Sequence, residues 1–499
     1  MNIKRAKQEI KDTIEAYLKK DEFGSYVIGS VRQRPVLLIG PPGVGKTQIM
    51  EQISQECGIG LVAYTITHHT RQSAIGLPFI EKREYGGREY AVTEYTMSEI
   101  VAAVYNKIQQ TGLAEGILFI DEINCVSETL APTMLQFLQG KTFGNHRIPE
   151  GWIIVAAGNP PEYNKSVRDF DIVTLDRIRR IDVEPDFDVW KEYAVKADIH
   201  PAVRDYLNIR RQNFCQIETT VDGRLFATPR GWEDLSQLIQ VYEELGKKAD
   251  RELIQEYIQF PKIAKDFANY LELHYKYKND YQVEQILEGE ISEAAVEKLE
   301  RAAFDERISV VGLLLSGLNE EFRQVSRMGR MMAMRMEQMK ELHKSGAFEK
   351  NGVEAFAAMT EEFQEQMEKR REQGLMSRME YRTRRAVLAR FEEDLKKLRA
   401  GDWKDGAQVW EALRESFGQD SDRYEDMTEA AGEKLEHAFD FMEAAFGGSQ
   451  EMVLLVTELN TGFYSIEFLQ EYDCERYYQY NKNLLFSREE ELLGQVLGQ

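Results

Sequence analysis

The chain has 499 residues, of which 63 are Lys or Arg and 85 are Asp or Glu, giving a formal net charge of −22 at pH 7. This acidic surplus argues against a protein that coats nucleic acid broadly, because affinity for duplexes rests mainly on neutralising phosphates with Lys and Arg, although it leaves room for a locally basic groove or pore. A hydrophobic content of 43% is enough to bury sizeable cores and excludes wholesale disorder.

Several sequence patterns bear on the cellular setting. The 4 cysteines include no C-x-x-C pair, so we expect reduced, buried thiols rather than a disulfide scaffold or a zinc ribbon. The histidines show no H-E-x-x-H spacing, the first residues carry charge without an apolar stretch behind them, and no aliphatic run approaches the length of a membrane span. We therefore expect a cytoplasmic protein without a secretory signal and without a membrane partner.

The first 185 residues carry a net charge of only −2 and alternate short β-rich apolar runs with helical patterns. Apolar runs of this kind, when helices separate them, indicate βαβ units and a parallel sheet. We predict an α/β domain over residues 1–185, with strands at 35–39, 61–67, 117–120, 152–157 and 179–183.

Two hairpins interrupt this α/β pattern. The segments 79–84 and 89–95 flank Gly86-Gly87, and a Gly-Gly pair readily supplies the positive φ of a tight turn. A second hairpin is predicted over 141–148, where it leads into the fourth strand of the sheet.

Beyond residue 185 the pattern becomes almost entirely helical and increasingly acidic. We predict several helices over 186–290, which carry a net charge of −6, with a clear helix start at Thr228-Pro229, where Thr can cap and Pro occupies the first helical position. Residues 291–499 carry −14 and are predicted to be all-helical, with long amphipathic helices broken at Gly346, Gly374, Gly401, Gly406 and Gly447-Gly448.

The Met-rich and aromatic segments of this last region favour packing over chemistry. Two helical faces with Met or Phe at helical spacing indicate a bundle core, with an adaptable partner surface as the alternative. Three arginines, Arg327, Arg330 and Arg335, interrupt the first face, and a later arginine run indicates a solvated or salt-bridged helix face. The final aromatic-rich segment, 464–485, is predicted to pack. The two faces and the arginine run are Met328, Met332, Met336 and Met339; Phe356, Met359, Phe363 and Met367; and Arg382, Arg384, Arg385 and Arg390.

A phosphate-binding loop is the most specific motif of the chain. Residues 40–47 match G-x-x-x-x-G-K-[ST] at every required position, with an apolar strand before them and a helical segment after them. Glycines let backbone N–H groups close around phosphate oxygens, and the helix N-terminus adds its positive dipole. Lys46 can reach the β- and γ-phosphates and the Thr47 hydroxyl can ligate magnesium, so ATP and Mg²⁺ are expected. The loop comprises Gly40, Pro41, Pro42, Gly43, Val44, Gly45, Lys46 and Thr47.

A second motif lies downstream, where the apolar segment 117–120 ends in Asp121 and Glu122. A strand that delivers two acids at its C-terminal end suits one carboxylate near magnesium and one near water. Many strands end in acidic turns, but the pairing with a phosphate loop makes the catalytic interpretation the stronger one.

Taken together, the motifs resemble those of AAA+ ATPases and, more narrowly, of the MoxR-type subgroup. Asp121-Glu122-Ile123-Asn124 resembles the Walker B motif of that group, and Asn159, within 157–160, resembles its sensor 1. Arg177, within 175–177, lies in a segment like its arginine finger, and Arg230, within 228–230, lies in one like its sensor 2. The resemblance covers residues 30–235 and implies a P-loop NTPase sheet followed by a helical lid.

The resemblance also implies roles for the site residues. Asp121 would hold Mg²⁺, largely through water, and Glu122 would orient or deprotonate the attacking water. Asn159 would position that water or sense the γ-phosphate. Arg230 would face a phosphate from the first turn of a helix, where the helix dipole otherwise disfavours a cation.

Arg177 is the predicted finger, a guanidinium that reaches the γ-phosphate of a neighbouring subunit. Arg179 and Arg180 are alternatives, although both can simply begin the fifth strand, and Ile178 stands where the subgroup usually has Phe. A finger that acts in trans requires a ring or an open spiral, and the resemblance implies a hexamer.

These features favour an ATPase that remodels, assembles or activates a protein client, for which the resemblance suggests a protein with a von Willebrand factor A domain. The hairpin at 79–95 falls where the clade has its helix-2 insert, so it is predicted to project toward a pore, with a passive surface excursion as the alternative. A nucleic-acid motor is a further hypothesis, disfavoured by the acidic charge. A nucleotide-gated scaffold is another, disfavoured by the presence of Glu122 beside Asp121.

Overall fold

The computed structural model describes residues 1–67, 74, 76–163, 170, 172–220, 223–403 and 405–482, without the side chains of 173 and 348–350. The chain divides into two compact units, Met1–Val189 with Gln366–Tyr381, and Trp190–Glu365 with Arg382–Gln499. The domain boundaries that the sequence suggests, at 185 and 290, stay predictions.

A five-stranded parallel sheet forms the centre of the first unit and confirms the predicted α/β fold class. The described strands of this unit are β1 Val36–Ile39, β2 Gly60–Thr65, β3 Pro78–Tyr85, β4 Arg88–Tyr95, β5 Gly116–Asp121, β6 Thr142–Phe143, β7 His146–Arg147, β8 Trp152–Gly158 and β9 Arg179–Asp182. The sheet has the order β2-β5-β8-β1-β9, so the strand before the phosphate loop lies between the strand that Asn159 follows and the strand that begins with Arg179 and Arg180. Each predicted sheet strand is present within two residues of its predicted bounds.

Helices cover both faces of this sheet. Successive side chains of β1 point to opposite faces, so neighbouring residues of this strand pack against different helices. Val36 and Leu38 pack with one helix pair, and Leu37 packs with the other. The first pair is α1 Ile3–Leu18 and α2 Lys46–Cys57, and the second is α3 Glu99–Thr111 and α4 Ala131–Gly140; α5 Ile172–Leu175 and α6 Phe187–Lys196 follow.

Both predicted hairpins are present. β3 and β4 pair in register from Pro78↔Tyr95 to Tyr85↔Arg88, and the turn residues Gly86 and Gly87 have φ values of 58° and 78°. Every residue of β3 is exposed, so this hairpin stands out from the sheet. β6 and β7 form the second hairpin.

The first unit also includes the distant segment 366–381. The side-chain amide of Gln373 donates to the backbone oxygen of Thr111, at the end of α3, over 2.7 Å. A contribution of this segment to the α/β unit is not apparent from the sequence.

Among its described residues the second unit is mainly helical, with one hairpin formed by β10 Gln216–Thr220 and β11 Gly223–Ala227. The sequence predicted several helices over 186–290 and did not predict this hairpin. The strands are short and half-exposed, so they show no apolar run, yet β-branched residues such as Ile217, Thr219 and Thr220 favour extended backbone.

Residues 475–482 are helical, and the other described α-helices after α6 lie between residues 201 and 471. They are α7 Pro201–Ile209, α8 Pro229–Glu244, α9 Arg251–Tyr257, α10 Pro261–Asp280, α11 Val283–Leu287, α12 Glu293–Glu300, α13 Phe304–Lys344, α14 Phe348–Glu372, α15 Arg378–Ala400, α16 Gly406–Phe446, α17 Gln450–Thr461 and α18 Phe463–Glu471. Helix ends precede Gly346, Gly374, Gly401 and Gly447 as predicted, whereas Gly406 begins a helix. No helix among the described residues is long and apolar enough to cross a membrane.

One of the three arginines predicted to interrupt the Met-rich face is instead a core residue. Arg335 is fully buried, and its guanidinium donates to Asp394 over 2.6 Å and also to Asp420. A buried charge is tolerated when it is paired and hydrogen-bonded. The two carboxylates supply both the opposite charge and the hydrogen-bond acceptors. Met339 is buried as expected, but Met336 is 36% exposed.

The other packing predictions for this region are confirmed where the structure describes them. Phe356, Phe363 and Met367 are buried, and Arg390 pairs with Asp420 over 3.0 Å. The aromatic segment packs in part, with Tyr477 in the core and Tyr478 46% exposed, whereas 483–485 lie outside the described residues.

Candidate nucleotide-binding site

The phosphate loop joins the end of β1 to the start of α2 at the C-terminal edge of the sheet. Gly43 and Gly45 have φ values of 80° and 90°, a region that side chains with a Cβ disfavour. A Cβ on Gly40 would lie 2.7 Å from the backbone oxygen of Val183. Glycine is therefore required at three positions, and the N-terminal N–H groups of α2 open onto the loop, as anion binding needs.

The ammonium of Lys46 lies at the centre of this loop. Its Nζ donates to the backbone oxygens of Gly40 and Pro41, over 2.7 and 2.8 Å, and to Oδ1 of Asn159, over 3.0 Å. Lys46 is buried, so the fold holds its ammonium in one position and keeps it from moving freely in solvent. The structure thus brings the loop lysine and Asn159 together.

Two oxygen ligands meet beside the loop. The hydroxyl of Thr47 donates to Oδ2 of Asp121 over 3.3 Å. Asp121 ends β5, and its Oδ1 accepts the backbone N–H of Glu122 over 2.9 Å. The phosphate loop and the acidic pair are far apart in the sequence. They are brought together because the strands that precede them, β1 and β5, both pair in parallel with β8.

Glu122 has an uncommon backbone conformation. Its φ of 58° and ψ of 33° place it in the left-handed region, where a non-glycine residue costs about 1–2 kcal/mol. Its backbone oxygen accepts the N–H of Cys125 over 2.9 Å, which holds the turn in place. Strained backbone of this kind is concentrated at functional sites because it aims a side chain away from the direction of its strand.

The donor set fits Mg²⁺. A hydroxyl and a carboxylate are hard oxygen ligands, and Mg²⁺ is usually bound by one or two protein ligands together with substrate phosphates and water. No group of three or more His, Cys, Asp or Glu side chains that could hold a metal ion occurs in the part of the chain that the structure describes. Thr47 and Asp121 are therefore the residues that could hold a phosphate-bound cation.

Asn124 is a residue whose importance the sequence did not reveal. Its side chain is buried and donates to the backbone oxygen of Asn159 over 2.8 Å. A Cβ on Gly158 would lie 2.5 Å from Asn124 Oδ1, so the glycine admits this contact. The signal available in the sequence was a polar residue two positions after the acidic pair. The sequence does not show that this residue is buried or that Asn159 is its partner.

A cleft of about 540 Å³ adjoins the phosphate loop at the C-terminal ends of β1, β8 and β9. Its lining includes Pro41, Asn124, Asn159, Arg180 and Asp182. Ligands of parallel α/β sheets bind outside the carboxyl ends of the strands, which is the location of this cleft.

The three candidate finger arginines have different surroundings. Arg177 is exposed and donates to the Gln139 side chain over 2.6 Å. Arg179 begins β9 and donates to Glu9 and Thr13 of α1, whereas Arg180 pairs with Asp182 over 2.8 Å. The interpretation that Arg179 and Arg180 begin the fifth strand is confirmed, and the choice of Arg177 as the finger stays a prediction.

Arg230 lies in the second unit. It is exposed in the first turn of α8, where the Thr228 hydroxyl accepts the Gly231 N–H over 3.2 Å and Pro229 is the first helical residue. The predicted helix start is therefore confirmed.

Residues 36–177 match the family model described as the ATPase family associated with various cellular activities (AAA). This segment is an AAA ATPase domain. It contains the phosphate loop, Asp121, Glu122, Asn159 and Arg177, whereas Arg230 and the alternative finger residues Arg179 and Arg180 lie outside it. No curated protein is significantly similar to the chain.

Among solved structures, the chain is similar to RuvB of Thermotoga maritima. Two single-residue variants of RuvB have 16% and 15% identity with TM-scores of 0.30 and 0.29, and the RuvB Holliday junction branch migration motor has 15% identity with a TM-score of 0.28. Each match covers 52% of this chain and 69% of the other.

Proposed function

We propose that the chain is a Mg²⁺-dependent ATPase of the MoxR type that converts ATP and water to ADP and phosphate and uses the cycle to remodel, assemble or activate a protein client. The observation that carries the proposal is the convergence of Lys46, Thr47, Asp121, Glu122 and Asn159 at one edge of the sheet of an AAA ATPase domain. The chemistry of these side chains matches the parts that phosphoryl transfer requires.

In this proposal the chain binds the phosphates with the loop N–H groups and the Lys46 ammonium. Thr47 and Asp121 would hold Mg²⁺, which when bound neutralises charge on the β- and γ-phosphate oxygens. Glu122 accepts a proton from the attacking water or orients it, and Asn159 positions that water near the γ-phosphate. The lysine, threonine, aspartate and asparagine of this set are hydrogen-bonded within the domain, and groups held in this way lower the entropic cost of reaching the reactive geometry.

The proposal includes a ring, with a hexamer as the expected number. Arg177 would supply its guanidinium to the γ-phosphate of a neighbouring subunit, and Arg230 would contact the phosphates from α8. Exposure of Arg177 on the surface of the first unit supports a role in trans. The exposed hairpin of β3 and β4 would project toward the pore and transmit the nucleotide state to the client, with a von Willebrand factor A domain protein as one candidate.

Hydrolysis is tested by phosphate release from Mg·ATP, with Glu122→Gln as the variant. We expect turnover to fall by about 10²–10⁴-fold while nucleotide binding is retained, because only the base is lost. Glu51→Gln is the matched control, since Glu51 is an exposed carboxylate of α2 outside the site. Turnover that survives Glu122→Gln would contradict the assigned base.

The client is tested by affinity capture with Glu122→Gln in ATP, which holds the chain in its ATP-bound state, and the same capture in ADP is the control. A protein enriched only in ATP supports the remodelling proposal. Stimulation of wild-type turnover several-fold by DNA or RNA would instead favour a nucleic-acid motor.

A further inference from the structure

A groove in the second unit is separate from the proposed ATPase chemistry. It has a volume of about 620 Å³ and lies between α13, α16 and α18. Two sides of it are apolar, with methionines of α13 facing aromatic residues of α16 and α18. The apolar residues that matter to its chemistry are Met332, Met336, Phe417, Tyr424 and Phe468.

The walls of this groove combine a rigid floor with an adaptable side. Phe322 and Phe468 are buried and stack with ring centroids 4.3 Å apart. Met332 and Met336 lie one helical turn apart, and Met336 is 36% exposed. An unbranched thioether side chain can reshape itself around different apolar partners, so this wall can accept side chains of several shapes.

The polar part of the lining is acidic. It contains three carboxylates, Glu425, Glu467 and Glu471, and one cation, Arg330. The Glu467 carboxylate accepts the Ser326 hydroxyl over 2.5 Å and lies 3.6 Å from the Arg330 guanidinium. Glu425 is exposed at the rim. Because residues 291–499 also carry a net charge of −14, the groove attracts cations.

We propose that this groove binds a short basic segment of another protein. An apolar side chain of that segment enters between the methionines and the aromatic rings, and its flanking Lys or Arg residues pair with the three glutamates. Docking of an amphipathic segment by its apolar face, with charge complementarity at the rim, is an established mode of peptide recognition. A second copy of this chain carries a net charge of −22, which opposes its approach to an acidic groove.

The test uses the full chain without nucleotide, so its outcome does not depend on the proposed ATPase function. The probe is a fluorescent amphipathic peptide of about twelve residues with two leucines four positions apart and four lysines. We expect a dissociation constant in the micromolar range, measured by fluorescence anisotropy, and at least a tenfold loss when both leucines become serines.

Two variants separate the charged and apolar contributions. Glu425→Lys should weaken binding about fivefold or more by reversing a rim charge, whereas Glu415→Lys, an exposed carboxylate of the same helix outside the groove, should change it less than twofold. Ala333→Trp should abolish binding, because Ala333 is an exposed lining residue and the indole would fill the groove.

The proposal is overturned if a peptide with glutamates in place of the lysines binds within twofold of the basic one. It is also overturned if Ala333→Trp, with an unchanged unfolding temperature, binds the basic peptide as the wild type does. Self-association of the wild-type chain in sedimentation that Ala333→Trp abolishes would assign the groove to a second copy and overturn the choice of partner.

Discussion

The Lys46 ammonium lies 3.0 Å from the Asn159 side-chain oxygen, although the two residues are 113 positions apart in the chain. Asn124 fixes the other end of this contact, because its amide donates to the Asn159 backbone oxygen over 2.8 Å. The fold thus links the phosphate loop, the turn after β5 and the end of β8 through two asparagines. A substitution in one of these three segments should therefore alter the geometry of the other two.

Replacing Asn159 by Ala tests this linkage. Loss of the amide removes one acceptor from Lys46 and the proposed orienting group for water, so we expect turnover to fall by about 10²–10³-fold, comparable to the loss of one stabilising donor in other active sites. Affinity for a fluorescent ATP analogue should change only a few-fold. Asn106→Ala, at an exposed position of α3, is the control. Unchanged turnover in the Asn159 variant would remove this residue from the mechanism.

The left-handed backbone at Glu122 gives a second prediction, in which stability and activity move in opposite directions. Glu122→Gly should raise the free energy of unfolding by up to about 1 kcal/mol, since glycine adopts this conformation without the Cβ penalty, and should abolish turnover. Gln282, with a φ of 50° outside the site, offers the matched Gln282→Gly variant, which should gain stability without losing activity. A loss of stability in Glu122→Gly would show that its conformation is not strained.

Complementation tests the trans-acting arginine. Arg177→Ala and Lys46→Ala should each be inactive alone, the first through the missing finger and the second through the missing phosphate contact. Mixed together, they should recover activity, because an intact loop on one subunit can meet an intact finger on its neighbour. The rate of phosphate release is measured over a range of mixing ratios of the two variants. If no ratio restores activity, the finger does not act in trans.

Arg179→Ala is the control for this experiment. Arg179 bonds with Glu9 and Thr13 within its own subunit, at a half-exposed position. Its loss should lower the free energy of unfolding by roughly 1 kcal/mol or less. It should not behave as a finger in mixtures with Lys46→Ala.

Lys141 provides a pH-dependent prediction. Burial, reinforced by the nearby Arg147 charge, lowers the pKa of its ammonium to about 8. Its Nζ donates to Gln33 Oε1 over 2.8 Å and to the Trp152 backbone oxygen over 3.2 Å. Because the unfolded chain holds this proton more tightly than the folded one, stability contributed by this group rises with pH between about 8 and 10.5, by roughly 3 kcal/mol in total.

Urea unfolding at several values between pH 7.5 and 10 checks this sign. Relative to Lys141→Met, the wild type should gain stability as pH rises, and the comparison cancels the opposing contribution of buried Cys thiols, whose raised pKa values act in both proteins. Lys248→Met, at an exposed position, controls for the loss of a lysine side chain. A constant difference between wild type and Lys141→Met across this range would contradict the lowered pKa.

The sequence predicted those features whose signals are local. The phosphate loop, the strand ends and the hairpin turn at Gly86-Gly87 each depend on neighbouring residues, and all are present. Burial of Arg335 was not predictable in this way, because its partners Asp394 and Asp420 lie 59 and 85 residues away and only the packing of three helices brings them together. The β10–β11 hairpin was missed because its half-exposed strands lack an apolar run.

The membership of residues 366–381 in the first unit affects how the chain can be made. Synthesis proceeds from the N-terminus, so the α/β unit remains incomplete while the long helices that follow Val189 leave the ribosome. The backbone oxygen of Thr111 gains its Gln373 donor only after that segment emerges. A stop codon placed after residue 290 would therefore deliver the α/β unit without the segment 366–381, so the order of translation determines when this unit is complete.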